Sequence, residues 1–355
     1  MDATATPPDA TGVDVHAHYF GTDLGERLAV APDDRWPRLV TDGDTGRLML
    51  GDRIFRSVRS VLWDVDVRIA ELDASGVGLQ AISPVPVTLA YWASEPDAAA
   101  YARASNDSIG SAVARSAGRL VGLGTLPLPH IDASIEELER LVGELGLCGV
   151  EIGTQIAGMD LDSPVLEPVF AAAERLGTAV FVHPTDGGGG VIRRGGQPYD
   201  FGLGMISDTA IAATALVFGG VLERHPQLRI ALAHGCGTFA WAYPRLRLGA
   251  SIFNGIEPDR VDRIISSMWV DSLVFDPQHL SLLIDRFGSD HVMLGTDYPF
   301  VPGQIEGHRD FLGSAVEIGA LSPEQADGIR RTNAADFLTA MSRKALAGGH
   351  FDGTR

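Results

Sequence analysis

The sequence predicts an α/β protein: a (β/α)8 TIM barrel with a small β insertion after its first strand. Three observations carry that expectation. Eight short β-branched or apolar runs alternate with amphipathic stretches of helical length, the order that builds a parallel sheet with crossover helices. Histidine and aspartate recur at the C-terminal ends of those runs, where barrels assemble their sites. The length of 355 residues lies within the span of about 200 to 400 that one such barrel occupies. A single domain over about 11–340 is therefore expected, with 1–10 and 345–355 as loose ends.

Taken in order, the eight runs are 12–18 (GVDVHAH), 78–85 (GLQAISPV), 120–126 (LVGLGTL), 149–154 (GVEIGT), 179–184 (AVFVHP), 229–235 (RIALAHG), 268–274 (MWVDSLV) and 291–297 (HVMLGTD). Amphipathic segments at 65–75, 98–117, 131–145, 164–176 and 277–287 supply crossover helices between them. The interval 20–61 is too long for an ordinary strand-to-helix loop. It holds RWPRLV, RLML and RIFRSV separated by turn residues, which predicts a small β insertion over the barrel mouth. The glycine-rich stretch 186–197 lacks the spacing of a phosphate-binding loop and is expected to be a mobile loop beside the site.

Composition narrows the function classes. A formal net charge of −18 argues against nucleic acid, whose phosphates need clustered Lys and Arg. No apolar stretch reads as a membrane span of about 20 residues, and MDATATPPDA has neither the basic start nor the apolar run of a signal peptide. Only Cys148 and Cys236 are present, too few for a disulfide framework, so a reducing, cytoplasmic setting is expected. Any carboxylate ligand has to be held by a few local arginines, because the sole lysine is Lys344, near the C-terminus.

His16 and His18 sit two apart on the first strand, so both side chains leave the same face. His183 and His234 are expected to end strands five and six, and Asp297 strand eight. One divalent metal ion held by His16, His18, His183 and Asp297 accounts for most of this set, with zinc the default for imidazole and carboxylate. His234 is the expected general acid-base group, since it falls between the strands of His183 and Asp297. Cys236 reads as a small residue in a tight turn. Glu151, on strand four, is left as either a barrel-interior acid or a second-layer partner. His130, His225, His279, His291, His308 and His350 read as structural or solvent-exposed.

These residues carry a family resemblance. The H-x-H of strand one, His on strands five and six and Asp on strand eight resemble the amidohydrolase superfamily. Trp63 to Ala93, GRLVGLGTLPL, GVEIGT, EPVFAAAERLGTAVFVHPTD, AHGCGTF and LGTDYPF most resemble its α-amino-β-carboxymuconate-ε-semialdehyde decarboxylase family, over about 12–340. The resemblance implies decarboxylation without oxygen or organic cofactor, using hydroxide generated at the metal, with His234 as proton carrier. It also implies a homodimer, a clamp from Arg56 on a substrate carboxylate, and substrate contacts at Phe201 and Phe300. Strand four has no lysine to bridge two ions, which implies a one-metal site unless Glu151 substitutes as the bridge. The family's second substrate arginine, supplied by the partner subunit, falls here on Phe253. Arg193, Arg194 and Arg247 are the candidates to replace it. A hydrolase or hydratase using the same metal-activated water is the alternative activity.

Overall fold

A computed structural model of the chain describes residues 12–24, 30, 33–185 and 188–338. The expected loose ends, His350 and Lys344 lie outside the described residues. Eight parallel strands form one sheet, in the order β1 (Gly12–Tyr19), β5 (Val77–Pro84), β6 (Leu120–Gly124), β7 (Gly149–Gly153), β10 (Ala179–His183), β11 (Arg229–Leu232), β12 (Trp269–Asp271) and β13 (Val292–Met293). The seam between first and last strands is closed by hydrogen bonds from Val15 N to Leu294 O (2.9 Å) and from His18 N to Tyr298 O (2.7 Å). The barrel expected from the sequence is therefore present.

Strand parity sorts the side chains. In β10, Val180 and Val182 join the layer between sheet and helices, while Ala179 and Phe181 fill the barrel interior. His183 continues that inward row at its upper end. In β7 the same parity sends Val150 and Ile152 outward and Glu151 inward, which fixes the direction the sequence left open. Phe337 and Leu338 pack against the interior cluster from its other side.

Helices cover the outside, among them Val65–Ser75, Glu95–Arg115, Ile131–Gly143, Glu167–Leu176 and Pro277–Phe287. The first begins where the Asp64 side chain accepts from the N–H groups of Asp66 and Val67, and stops at Gly76 in the left-handed region. One helical stretch, Asp200–Phe218, has 19 residues and a mean hydropathy of 1.6, long and apolar enough by composition to cross a membrane. The sequence reading found no such stretch. Its apolarity has a packing reason here, because Ala212, Ala213, Leu216 and Val217 are buried in the layer against the barrel.

The insertion is a three-stranded antiparallel sheet of β2 (Pro37–Asp42), β3 (Thr45–Leu50) and β4 (Arg53–Arg59). Leu48 and Val58 anchor it on Trp36, Leu62 and Tyr101. Its β3–β4 register slips by one residue: Leu48 faces Arg56 and Met49 faces Ile54, leaving Phe55 as the extra residue of a bulge. A two-residue-arm hairpin, β8 (Gln155–Ile156) with β9 (Met159–Asp160), follows β7 and was not foreseen.

Two expectations about strand ends need correction. β11 stops at Leu232 and β13 at Met293, so His234 and Asp297 lie beyond the strands they were expected to end. Both take left-handed backbone, with φ of 57° and 54°, which ends the extended run and turns each side chain back over the barrel mouth.

Candidate metal centre

The barrel mouth gathers His16 and His18 from β1, His183 from β10 and Asp297 from the loop after β13. All four are buried, and one ligand atom from each lies within 4.8 Å of the others. Each imidazole is anchored at its Nδ1: His16 on Asp271 Oδ2 (2.7 Å), His18 on the Pro84 carbonyl (2.9 Å), His183 on the Pro184 carbonyl (2.7 Å). That leaves three buried Nε2 atoms without a protein partner, turned toward one carboxylate. A buried polar atom in that condition costs about 1–3 kcal/mol. A shared cation relieves all three at once. Nitrogen and carboxylate donors oriented by hydrogen bonds on their far sides fit a divalent ion, and a divalent-metal site is present.

The site's charges fit the same purpose. Burial raises the carboxyl pKa of Asp297, yet the surrounding imidazoles of His18, His234 and His16 outweigh it and hold Asp297 well below the usual range. Burial and the neighbouring imidazoles push His183 well below its ordinary value, keeping its Nε2 lone pair free. Burial also opposes a charged His16, but Asp271, Asp297 and Glu151 overcome it and raise that imidazole to about 9 in the absence of a cation.

Asp271 is the functional residue the sequence reading missed. Besides His16, it accepts the backbone N–H groups of His234 and Gly235 (2.9 Å each) and Leu273 (3.0 Å). Its signal was a carboxylate inside the apolar run MWVDSLV, where burial without a partner is costly. Glu151 accepts from Ser83 Oγ (2.6 Å) and stands 3.7 Å from His18 Nδ1, behind the ligand ring. It is not among the four clustered ligands. Burial raises its pKa.

His234 packs its ring 5.3 Å from that of His16 and 5.0 Å from that of His183, with Nε2 3.9 Å from Asp297 Oδ2. Residues 234–237 all have positive φ. Non-glycine residues in that region cost about 1–3 kcal/mol each, and the two N–H bonds to Asp271 offset this strain. Gly237 has no alternative, because a Cβ there would fall 2.0 Å from the Ile206 carbonyl oxygen. Cys236 is buried in the apolar core, and burial raises its thiol pKa well above the usual value.

Arg56, Phe201 and Phe300 share a small cavity of about 70 Å³ with His18, His183 and Asp297. The Arg56 guanidinium carbon lies 5.0 Å from the Phe300 ring centre. Among the described residues Arg56 has no acidic partner. The other arginines fare differently. Arg247 is held bidentately by Asp262 (2.9 and 2.7 Å), Arg194 rests over Tyr199 (4.5 Å), and neither they nor Arg193 line the cavity. Phe253 lies on the outer face of the helix Phe239–Asn254, 84% exposed. Among the remaining histidines, His225 is buried between Glu167 and Glu174, His308 bonds Ile305 O, and His130 bonds Ala93 O. His291 meets Asp290, and His279 lines an apolar groove beside His234.

Residues 13–339 match the model of the amidohydrolase family. The chain belongs to that family, and within it to the metal-dependent carboxy-lyases resembling aminocarboxymuconate-semialdehyde decarboxylase. It is 38% identical to the 2-amino-3-carboxymuconate-6-semialdehyde decarboxylase of Dictyostelium discoideum, over 79% of this chain and 83% of that protein. It is 30% identical to the γ-resorcylate decarboxylase of Rhodococcus jostii, over 67% and 76%. Among solved structures, 5-carboxyvanillate decarboxylase from Sphingomonas paucimobilis shares the fold, with a TM-score of 0.73 at 22% identity over 92% of this chain and 98% of that one.

Proposed function

We propose that the chain decarboxylates aminocarboxymuconate semialdehyde, or a closely similar dienoic or aromatic acid, without an oxidant. The observation that carries this reading is the junction of two features at one cavity. Three inward Nε2 atoms and a carboxylate are gathered within 4.8 Å, and an arginine without an acidic partner stands at the mouth. The names of the relatives supply the reaction class.

His16, His18, His183 and Asp297 would hold a divalent ion, which would supply Lewis acidity and bring the pKa of a water at the site toward neutral pH. The chain's own residues do the rest. Arg56 pairs with a substrate carboxylate, and the planar guanidinium fixes orientation as well as charge. Phe300 and Phe201 wall the conjugated part of the substrate. His234 takes a proton at Nε2 as water is activated. As the hydroxide adds to the conjugated substrate, His234 returns that proton to the neighbouring carbon, which bears the departing carboxylate. When the bond to that carboxylate breaks, its electron pair re-forms the double bond and expels the hydroxide, which regains a proton from solvent. The net change is loss of carbon dioxide and gain of one hydrogen.

Zinc is the proposed ion, one per chain; the dihydroxybenzoic acid decarboxylase of Polaromonas sp. was crystallised with manganese. The ligand is a small carboxylate rather than nucleic acid, in keeping with the −18 charge. A reducing, cytoplasmic setting is proposed for a chain whose two cysteines, Cys148 and Cys236, are both buried. Incubating the metal-loaded enzyme with aminocarboxymuconate semialdehyde, 5-carboxyvanillate and 2,6-dihydroxybenzoate tests the reading. Carbon dioxide should be released from at least one. Products retaining every carbon would instead establish the hydrolase or hydratase alternative.

A further inference from the structure

Arg56 stands on an exposed strand. Of the seven residues of β4 only Val58 is buried, so little apolar packing fixes where that strand sits over the metal cavity. From Arg56 to Arg59 the β3–β4 ladder is regular, with Arg56 opposite Leu48 and Arg59 opposite Thr45. The bulge at Phe55 interrupts the ladder on the other side. Arg56 is therefore positioned from the Arg59 end, about 10 Å along the strand.

Arg59 is held by Glu71, on the helix Val65–Ser75, through a fork of two hydrogen bonds at 2.7 and 3.0 Å. Both side chains are partly exposed, and a surface ion pair adds only about 0–1 kcal/mol to stability. Stability is thus a weak reason for the pair. The same carboxylate accepts the hydroxyl of buried Tyr298 (2.7 Å). Tyr298 follows Asp297 in the chain, its carbonyl accepts the N–H of His18 (2.7 Å), and its ring centre lies 5.0 Å from the Arg68 guanidinium. Burial opposes a charged Glu71, but Arg59 and the Tyr298 hydroxyl outweigh it and lower the carboxyl pKa. One carboxylate grips the clamp strand and the loop of the metal ligand Asp297 together.

We propose that Glu71 is a positioning residue that sets where Arg56 stands relative to Asp297, and so how well the site holds a substrate carboxylate. Glu71 lies outside the metal cavity and acts through Arg59 and Tyr298. The inference rests on Arg56 as the carboxylate clamp, but its test separates the two and stands apart from turnover.

Benzoate is titrated calorimetrically into the full-length, zinc-loaded chain, with Arg56 present and in Arg56→Ala. Glu71→Gln keeps an acceptor for Tyr298 and loses the charge that holds Arg59. With Arg56 present it should raise the benzoate dissociation constant by about 3- to 10-fold, part of the roughly 10- to 150-fold carried by a charge-assisted pair. In the Arg56→Ala background the same substitution should change nothing, because residues that act through one another are not additive. Arg59→Lys, which keeps the charge and lacks the fork, should reproduce the loss. Both variants should keep the wild-type metal content by elemental analysis. A Glu71→Gln effect that is absent, or as large without Arg56 as with it, overturns the inference and leaves the clamp standing. Metal loss from Glu71→Gln, or wild-type binding by Arg59→Lys, overturns it as well. If Arg56→Ala binds benzoate as tightly as the wild type, the clamp falls and the inference with it.

Discussion

At the residue scale, the site is organised by groups that fix one side of each imidazole so that the other side is free. His183 is held at Nδ1 by the Pro184 carbonyl of the next residue, a contact that costs the fold little to lose. His183→Ala should therefore remove most of the metal and the activity while circular dichroism stays native. Elemental analysis of the wild type should find about one ion per chain, and two in fully active enzyme would contradict the ligand set. His234 sits 3.9 Å from Asp297 with a ring nitrogen, Nδ1, that has no protein partner. General acid-base groups contribute about 10²- to 10⁴-fold to rate. His234→Ala is expected to keep its metal and lose turnover by that factor, and a metal-loaded variant of near-native kcat would remove His234 from the mechanism.

At the scale of elements, two devices position the site. The first closes the barrel beneath it. Asp14 accepts the N–H of His16 (3.1 Å), the N–H and hydroxyl of Thr296 (3.1 and 2.7 Å) and the Gln80 amide (2.8 Å). Gln80 accepts in turn from buried Arg68 (2.6 Å), which also donates to the His18 carbonyl (2.6 Å). One network thus ties the first strand, with two ligands, to the residue preceding Asp297. Asp14→Ala would orphan several buried donors at about 1–3 kcal/mol each. Denaturant unfolding should show a loss of at least that size, accompanied by weaker metal binding in competition with a chelator. The second device is the β4 hairpin, which lowers Arg56 onto Phe300. Arg56→Ala should reduce kcat/KM by about 10- to 150-fold. A loss smaller than threefold, measured on the acid that the enzyme decarboxylates best, would take the clamp away from Arg56.

For the whole molecule, the surface carries a feature that a closed barrel does not need. The helix Phe239–Asn254 presents Trp241 (83% exposed), Leu248, Ile252 and Phe253 (84%) to solvent. Trp241 also lines the apolar groove that reaches His234. Exposed apolar clusters of this kind accompany protein interfaces, and we expect a homodimer formed through this face. Light scattering of the purified chain should give twice the monomer mass of 37.7 kDa, and Trp241→Lys with Phe253→Lys should return it to the monomer. A monomeric wild type at micromolar concentration would refute the dimer.

Periodicity and residue type alone determined the barrel, the β insertion and the His and Asp set at its mouth, because each rests on local pattern: alternating apolar runs, turn residues and polar side chains at strand ends. What they left open depended on backbone details that no local pattern specifies. The left-handed turns at His234 and Asp297 carry those side chains past their strands, and only the packed neighbours and Asp271 hold such conformations. Asp271 itself reads as one acid in an apolar run until barrel closure brings its side chain, on β12, to His16 on β1, 255 positions away in sequence. The pairing of Arg56 with Leu48 depends on a one-residue slip between two strands. Strand spacing in the sequence does not carry that slip, because cross-strand register is a tertiary property.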